Sequence, residues 1–137
     1  MSDRVFLDTS ALYAVFDADD AAHAAAAAAW AGLLSSDTGL HTSNYVLLEL
    51  KALLQSRLGL DAVDALTTYV TPFVNVAWID ERTHAQAAAA LLGARRRDVS
   101  LVDHASFIIM RNLGIRTAFA VDRHFAEQGF TPLPAAP

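Results

Sequence analysis

Four carboxylates stand in stretches of mostly apolar sequence, where exposure to solvent alone does not explain them: Asp8, Glu49, Asp103 and Asp122. A buried carboxylate is unfavourable unless it is paired or coordinated, and several in one pocket repel one another until a cation enters. A hard divalent cation such as Mg²⁺ or Mn²⁺ prefers oxygen ligands of this kind. The four acids therefore predict a metal site that polarises a phosphodiester and activates a water molecule.

Each of these acids also has an ordinary structural explanation. Asp8 follows a strand-like run, where Asp is a favoured helix N-cap. Glu49 fits an exposed helical residue that pairs with a nearby base, and Asp103 fits a first-turn acid that complements its helix dipole. Asp122 fits a turn residue at a strand end. The individual signals are weak, and only their joint pattern favours a metal site.

The elements that must position these acids alternate between strands and helices. Short apolar runs rich in β-branched and aromatic residues predict strands at 4–7, 40–42, 73–79, 117–121 and 130–133. Capping residues and helical periodicity predict helices at 11–16, 20–34, 44–58, 61–72, 81–96 and 101–112. Alternating elements with nearly continuous apolar strands predict an α/β fold, a single-domain α/β/α sandwich around a mainly parallel central sheet. Ligands of such sheets bind at the carboxyl ends of the strands, where Asp8 and Asp122 stand.

Length and composition limit the remaining possibilities. The 137 residues are 54% hydrophobic and 18% charged, which predicts one folded domain over residues 1–133 and a short Pro/Ala tail at 134–137. The net charge of −5 restricts any nucleic-acid contact to a local patch. The chain has no cysteine and none of the glycine motifs that bind dinucleotides or nucleotide phosphates. The Ala-rich stretch 21–34 is too short for a bilayer, and no signal-peptide pattern is present, so we expect a cytoplasmic protein with no membrane association.

Four motifs in a fixed order resemble the PIN-domain ribonucleases, and most closely the VapC-type toxins of bacterial type II toxin–antitoxin pairs. The segments that carry the resemblance lie at 5–12, 42–50, 100–107 and 121–125, and each contains one of the four acids. Gly129-Phe130 matches the approach to the last strand. No single segment is specific for this family, but the order and separation of the four segments in a chain of this length are specific for it.

The resemblance implies an Mg²⁺- or Mn²⁺-dependent endoribonuclease. It implies that Asp8 and Asp103 are the principal metal ligands and that Glu49 and Asp122 complete the catalytic site. It also implies a homodimer and a cognate VapB-type antitoxin, whose tail enters the acidic groove, often with an Arg near the metals. One departure is Ala120, since the family often has Thr or Ser two residues before the fourth acid. The hydroxyl that supports the fourth acid in the family is therefore missing for Asp122.

Several other residues allow two interpretations. The basic run Arg95-Arg96-Arg97 fits either contacts to the RNA backbone or a solvated helix end. His104 and His124 each adjoin an acid, but we leave both out of the predicted catalytic site, because the family does not require them. Four hydroxyl residues fit either orientation of the metal ligands or helix capping: Thr9, Ser10, Ser43 and Ser100.

Two other functions compete with the nuclease. A receiver-like module that holds Mg²⁺ beside its first strand would need a Lys after a late strand, and the only Lys is Lys51, inside the third predicted helix. A PIN-like protein that binds RNA or a partner without turnover is the main alternative. The sequence leaves open which RNA is cleaved, which of the two ions is used and how many are bound.

Overall fold

The central sheet of the computed structural model is entirely parallel. The structure describes residues 3–135, and its strands are β1 (Arg4–Leu7), β2 (Gly39–Ser43), β3 (Asn75–Ala77), β4 (Thr117–Phe119) and β5 (Thr131–Leu133). They lie in the order β3-β2-β1-β4-β5, and every neighbouring pair is parallel. The predicted α/β fold with a mainly parallel sheet is confirmed.

Helices cover both faces of this sheet. They are α1 (Thr9–Phe16), α2 (His23–Leu34), α3 (Asn44–Arg57), α4 (Leu60–Ala65), α5 (Glu81–Ala94), α6 (Leu101–Leu113) and α7 (His124–Glu127). A π-helical turn at Leu66–Val70 and a 3₁₀ turn at Thr71–Phe73 continue α4. Within residues 3–135, none of these helices combines the length and the apolar character that a membrane span requires.

The side chains of β1 show why its sequence is continuously apolar. Successive strand residues point to opposite faces, so Val5 and Leu7 pack with α1, α2 and α3, whereas Phe6 packs with α6 and Phe125. These three residues are at least 96% buried, whereas Arg4, the first residue of β1, is exposed. Two hydrophobic cores therefore lie on either side of the sheet, and β1 contributes side chains to both.

The third strand is shorter than predicted. We expected residues 73–79, but only Asn75–Ala77 pair with β2. The reason is the end of the partner strand: Ser43 pairs with Ala77 and then becomes the N-cap of α3, where its hydroxyl accepts the N–H of Val46. Trp78 has no strand to pair with and is 75% exposed.

Helix boundaries differ from the predictions where local backbone interactions intervene. The second helix begins at His23 rather than at residue 20, because the Asp20 carboxylate accepts the N–H of Ala22 in a turn before the helix. The fifth helix ends at Ala94 because Arg95 adopts a left-handed conformation, with φ of 55°. The helix expected at 61–72 is α only as far as Ala65.

Capping residues set the bounds of α5 and α6, whereas α4 begins at Leu60, one residue before Asp61, with Gly59 as its N-cap. Asp80 and Ser100 are the N-caps of α5 and α6, and Gly114 ends α6 with φ of 70°. The strand expected at 117–121 ends at Phe119. Of the predicted tail, Ala136 and Pro137 lie outside the described residues, as do Met1 and Ser2 at the start of the chain.

Candidate metal centre

Asp8 stands at the carboxyl end of β1 and begins α1. Its Oδ2 atom accepts the N–H of Ser10 at 3.1 Å and the Ser10 hydroxyl at 2.6 Å, so the residue is a helix N-cap. The side chain is also almost fully buried, with the residue only 2% exposed. The capping interpretation and the metal-site interpretation of Asp8 are therefore compatible, because capping uses one of its two oxygens.

Asp103 likewise combines a capping role with a buried position. Its Oδ2 atom accepts the N–H of Ser100 at 3.0 Å, and the Ser100 hydroxyl accepts the N–H of Asp103 at 3.1 Å, forming a capping box at the start of α6. The residue is 9% exposed. The dipole of α6 also stabilises a negative charge at this position.

Asp122 and Glu49 approach the same region from two other elements. Asp122 follows β4, and its Oδ1 atom accepts the N–H of His124 at 3.0 Å. Glu49 projects from α3 and is half-buried, and burial is the main cause of its raised pKa. Within residues 3–135 Glu49 forms no ion pair, so the structure gives no support to its pairing with a nearby base.

The four carboxylates share one electrostatic environment. Burial is the main cause that raises the pKa of Asp8 to about 8, and the charges of Asp122 and Asp103 contribute to the same shift. Burial is also the main cause of the raised pKa of Glu49 and of Asp122, and the charge of Asp103 adds to both shifts. The structure therefore brings together all four acids that the sequence singled out, at the carboxyl edge of the sheet.

Two orphaned polar atoms suggest that this site suits a metal ion. The Thr9 hydroxyl oxygen and the Nδ1 atom of His124 are buried and have no hydrogen-bond partner among residues 3–135. Asp103, Asp122 and His124 each offer one ligand atom, and these atoms all lie within 4.8 Å of one another. Mutually repelling carboxylates beside unpaired polar atoms fit a bound divalent cation, which supplies the missing positive charge.

Comparison with known proteins identifies the family to which the chain belongs. The PIN domain family matches residues 5–130. The chain is a PIN domain protein. It is 37% identical over 127 residues to the 23S rRNA-specific endonuclease VapC20 of Mycobacterium tuberculosis, in both strain H37Rv and strain CDC 1551, and the match covers 92% of this chain and 95% of the relative. The resemblance inferred from the four motifs is confirmed.

A solved structure shares the fold of this PIN domain. The crystal structure of Mycobacterium tuberculosis VapC20, described as a sarcin–ricin loop cleaving toxin, superposes with a TM-score of 0.81 at 36% identity. The superposition covers 92% of this chain and 95% of that one. The whole domain is therefore shared, and the relation is not confined to the acidic motifs.

His124 lies inside the candidate metal centre of this PIN domain, although it was not among the residues predicted from the sequence. Its Nδ1 atom is 3.4 Å from Oδ2 of Asp103 and 3.8 Å from Oδ1 of Asp122. The available signal was its position two residues after Asp122, within the tight turn that Asp122 stabilises. His104, by contrast, is buried beside the ring of Phe107 in the core.

The three arginines of the basic run differ in whether their side chains are already paired with carboxylates. Arg96 donates to both oxygens of Asp98, at 3.2 and 2.8 Å, and to Glu127 at 3.0 Å. Its guanidinium is therefore already engaged by two carboxylates, whereas the neighbouring Arg95 and Arg97 are exposed. Arg123 contacts the same two acids at longer distances, 3.5 and 3.3 Å, and its side chain is 76% exposed.

Two cavities lie at opposite edges of the sheet. One, of about 470 Å³, adjoins the metal centre and is lined by Asp122, Arg123 and small apolar residues. The other, of about 970 Å³, lies at the amino-terminal edge beside Arg4 and Arg116, away from the acids. Of these two, the smaller cavity shares a residue with the metal centre, although the larger one offers more space.

Proposed function

We propose that this PIN domain is the endoribonuclease toxin of a toxin–antitoxin pair and hydrolyses RNA with Mg²⁺ or Mn²⁺ held by its carboxylates. The observation that carries the proposal is the meeting of Asp8, Glu49, Asp103 and Asp122, from four separate elements, in a chain 37% identical to a 23S rRNA-specific endonuclease. The proposal assigns both catalysis and metal binding to these four residues.

A bound divalent ion would polarise the phosphodiester and lower the pKa of a water molecule. Asp8 and Asp103 are the principal ligands in this proposal. Within residues 3–135, their hydrogen bonds to Ser10 and Ser100 use Oδ2 and leave Oδ1 available. These hydrogen bonds hold the carboxylates in one orientation, as metal ligands usually require. Glu49 and Asp122 complete the set of carboxylate ligands, and the ring of His124 borders the site on the side of Asp98.

For the substrate, we propose a ribosomal RNA loop. The relatives are named for cleavage of 23S rRNA and of its sarcin–ricin loop, and the shared domain spans nearly the full length of both proteins. Arg123 is the side chain most available for a phosphate, because it is exposed, adjoins Asp122 and forms only long ion pairs within residues 3–135. A substrate on the ribosome implies that the protein acts in the cytoplasm.

The test is cleavage of a 23S rRNA hairpin and of total RNA by the purified protein, with Mg²⁺, with Mn²⁺ and with EDTA. We expect discrete products that EDTA abolishes, and a loss of at least about 100-fold in the rate for Asp8→Asn, the usual scale for removing one group that stabilises transition-state charge. Asp37→Asn is the matched control, because Asp37 is exposed in the loop that leads to the amino-terminal end of β2. Equal rates for Asp8→Asn and the parent would contradict the proposal.

The alternative is a PIN-like protein that binds RNA or a partner without turnover. Saturable binding of Mn²⁺ and RNA, with no product from any RNA tested, would favour this alternative. A mass spectrum of the preparation must accompany that result, because a co-purified antitoxin would block the site and give the same absence of products.

We also propose a VapB-type antitoxin and a homodimer as the partners of this protein. An acidic pocket accommodates a basic side chain, so a synthetic antitoxin tail that carries Arg should inhibit cleavage, and its Arg→Ala variant should not. Large apolar side chains available for the two interfaces include Leu48 at 71%, Trp78 at 75% and Leu92 at 63% exposure. Light scattering on the purified chain tests the dimer, and a monomer at all concentrations would contradict it.

A further inference from the structure

The ring of His124 stands between two groups of carboxylates. On one side, Nδ1 faces Asp103 and Asp122 at 3.4 and 3.8 Å. On the other side, Nε2 lies 3.5 Å from Oδ2 of Asp98, outside the acidic site. The side chain is only 15% exposed, and Nδ1 itself is buried without a hydrogen-bond partner in the described part of the chain.

The surroundings of Asp98 favour one tautomer of this ring. Arg96 donates two hydrogen bonds to Asp98, and Arg123 adds a longer contact. Both oxygens of Asp98 accept from the Arg96 guanidinium, so Asp98 is an ionised carboxylate that can only accept a hydrogen bond. A neutral imidazole carries one N–H, so a cation on the acidic side, which takes the lone pair of Nδ1, leaves that hydrogen on Nε2, beside the acceptor Asp98. The lone pair of Nδ1 is then directed toward Asp103 and Asp122.

We propose that Nδ1 of His124 is a nitrogen ligand of the divalent ion bound by Asp103 and Asp122, with Asp98 as the positioning residue for the ring. The inference rests on the proposed metal-dependent function and adds a ligand that the four-acid site lacks. Metal-bound histidines usually donate their second ring N–H to a carboxylate, and Oδ2 of Asp98 lies 3.5 Å from Nε2, on the side of the ring away from Asp103 and Asp122.

A nitrogen ligand changes which ion the site prefers. Carboxylates and water suit Mg²⁺ and Mn²⁺ alike, whereas imidazole suits transition metals and is a poor ligand for Mg²⁺. His124 therefore favours Mn²⁺ over Mg²⁺. An all-carboxylate site would lack this preference.

The decisive measurement is electron spin echo modulation of Mn²⁺ bound to the protein, which detects directly coordinated ¹⁴N and needs no RNA. We expect nitrogen modulation in the wild type and in His84→Gln, a control at an exposed histidine of α5, and none in His124→Gln. Calorimetry should show Mn²⁺ affinity reduced by about 10- to 100-fold in His124→Gln, with Mg²⁺ affinity changed much less. Circular dichroism and thermal unfolding confirm that each variant folds.

A second variant tests the ring's orientation without removing the ligand. Asp98→Asn should keep the nitrogen modulation but weaken Mn²⁺ binding by about 10-fold, while Asp37→Asn should leave both unchanged. Modulation that is absent from the wild type, or that persists in His124→Gln, would overturn the proposal. An equal loss of Mn²⁺ and Mg²⁺ affinity in His124→Gln would do the same, because it would indicate a role for charge or packing.

Failure of this inference is distinguishable from failure of the proposed nuclease. EDTA-sensitive cleavage without nitrogen modulation would leave the nuclease in place and remove His124 from the ligand set. Nitrogen modulation without cleavage of any RNA, in a preparation whose mass spectrum shows no antitoxin, would establish the ligand and reject the nuclease. Absence of Mn²⁺ binding in the wild type would overturn both.

Discussion

Ser10 donates its hydroxyl hydrogen to Oδ2 of Asp8 over a distance of 2.6 Å. The same Ser10 oxygen accepts the N–H of Val121 at 3.1 Å. One side chain therefore joins the loop after β1 to the loop after β4, and these two loops carry Asp8 and Asp122. Ala120 lacks the hydroxyl that the family often has near the fourth acid, and Ser10, in the first turn of α1, provides a link to this loop.

Ser10→Ala removes both of these hydrogen bonds. We expect the free energy of unfolding to fall by about 1–3 kcal/mol, because the buried carboxylate of Asp8 loses a donor. The Ser10 hydroxyl lowers the pKa of Asp8, so its removal should also weaken Mn²⁺ binding at neutral pH. Urea unfolding and calorimetry check the two effects. Ser56→Ala, at an exposed position of α3, should change neither, and a matching loss there would contradict the explanation.

Stability without metal should fall as the pH rises. The pKa of Asp8 is about 8 in the folded protein, mainly because of burial, whereas the ordinary value for an aspartate is 3.8. The folded state therefore binds the extra proton, and the stability it provides is complete below about pH 4 and disappears as the pH rises through about 8. The maximum slope from one such group is about 1.4 kcal/mol per pH unit.

Urea unfolding in EDTA between pH 5 and pH 8 measures this slope. Asp8→Asn should reduce it, and the difference between the two proteins isolates the contribution of Asp8 from that of other titrating groups. Mn²⁺ should stabilise the wild type most at high pH, where the carboxylates are ionised. A wild type that becomes more stable than Asp8→Asn as the pH rises in EDTA would contradict the buried position of this acid.

Arg123→Ala should weaken RNA binding. A single phosphate contact contributes about one unit to the slope of log affinity against log salt, so we expect that slope to fall by about 1. Arg116→Ala is the matched control, because Arg116 is exposed beside the cavity at the opposite edge of the sheet. Fluorescence anisotropy with a labelled hairpin in EDTA measures both. Equal slopes for the two variants would remove Arg123 from the RNA contacts.

Phe125 holds the short helix α7 against the core. Its ring is fully buried and meets Phe107 edge to face, with centroids 5.0 Å apart. We expect Phe125→Ala to lower the free energy of unfolding by about 3–5 kcal/mol. Phe73→Ala, at a ring that is 69% exposed, should have little effect. Urea unfolding compares the two, and a loss under about 1 kcal/mol at Phe125 would show that α7 packs more loosely than described.

The order of elements and the four acids were predictable from local patterns. Apolar runs such as Val5-Phe6-Leu7 and caps such as Ser100 depend on residues only a few positions apart, so they can be recognised in the sequence. The carboxyl ends of parallel strands share one edge, and this rule was enough to expect Asp8 and Asp122 together. The length of β3 was not predictable, because it depends on where its partner β2 ends.

The surroundings of the acids depend on how distant segments pack. His124 reaches Asp103 because α7 and the start of α6 lie side by side, and nothing in the residues next to His124 specifies that distance. From the sequence, Arg96 fitted either an RNA contact or a solvated helix end, and its ion pair with Glu127, 31 residues away, depends on tertiary packing. The sequence alone determined which residue types form the site. Which side chains contact one another there follows from the packing of the two hydrophobic cores, because that packing brings together residues far apart in sequence.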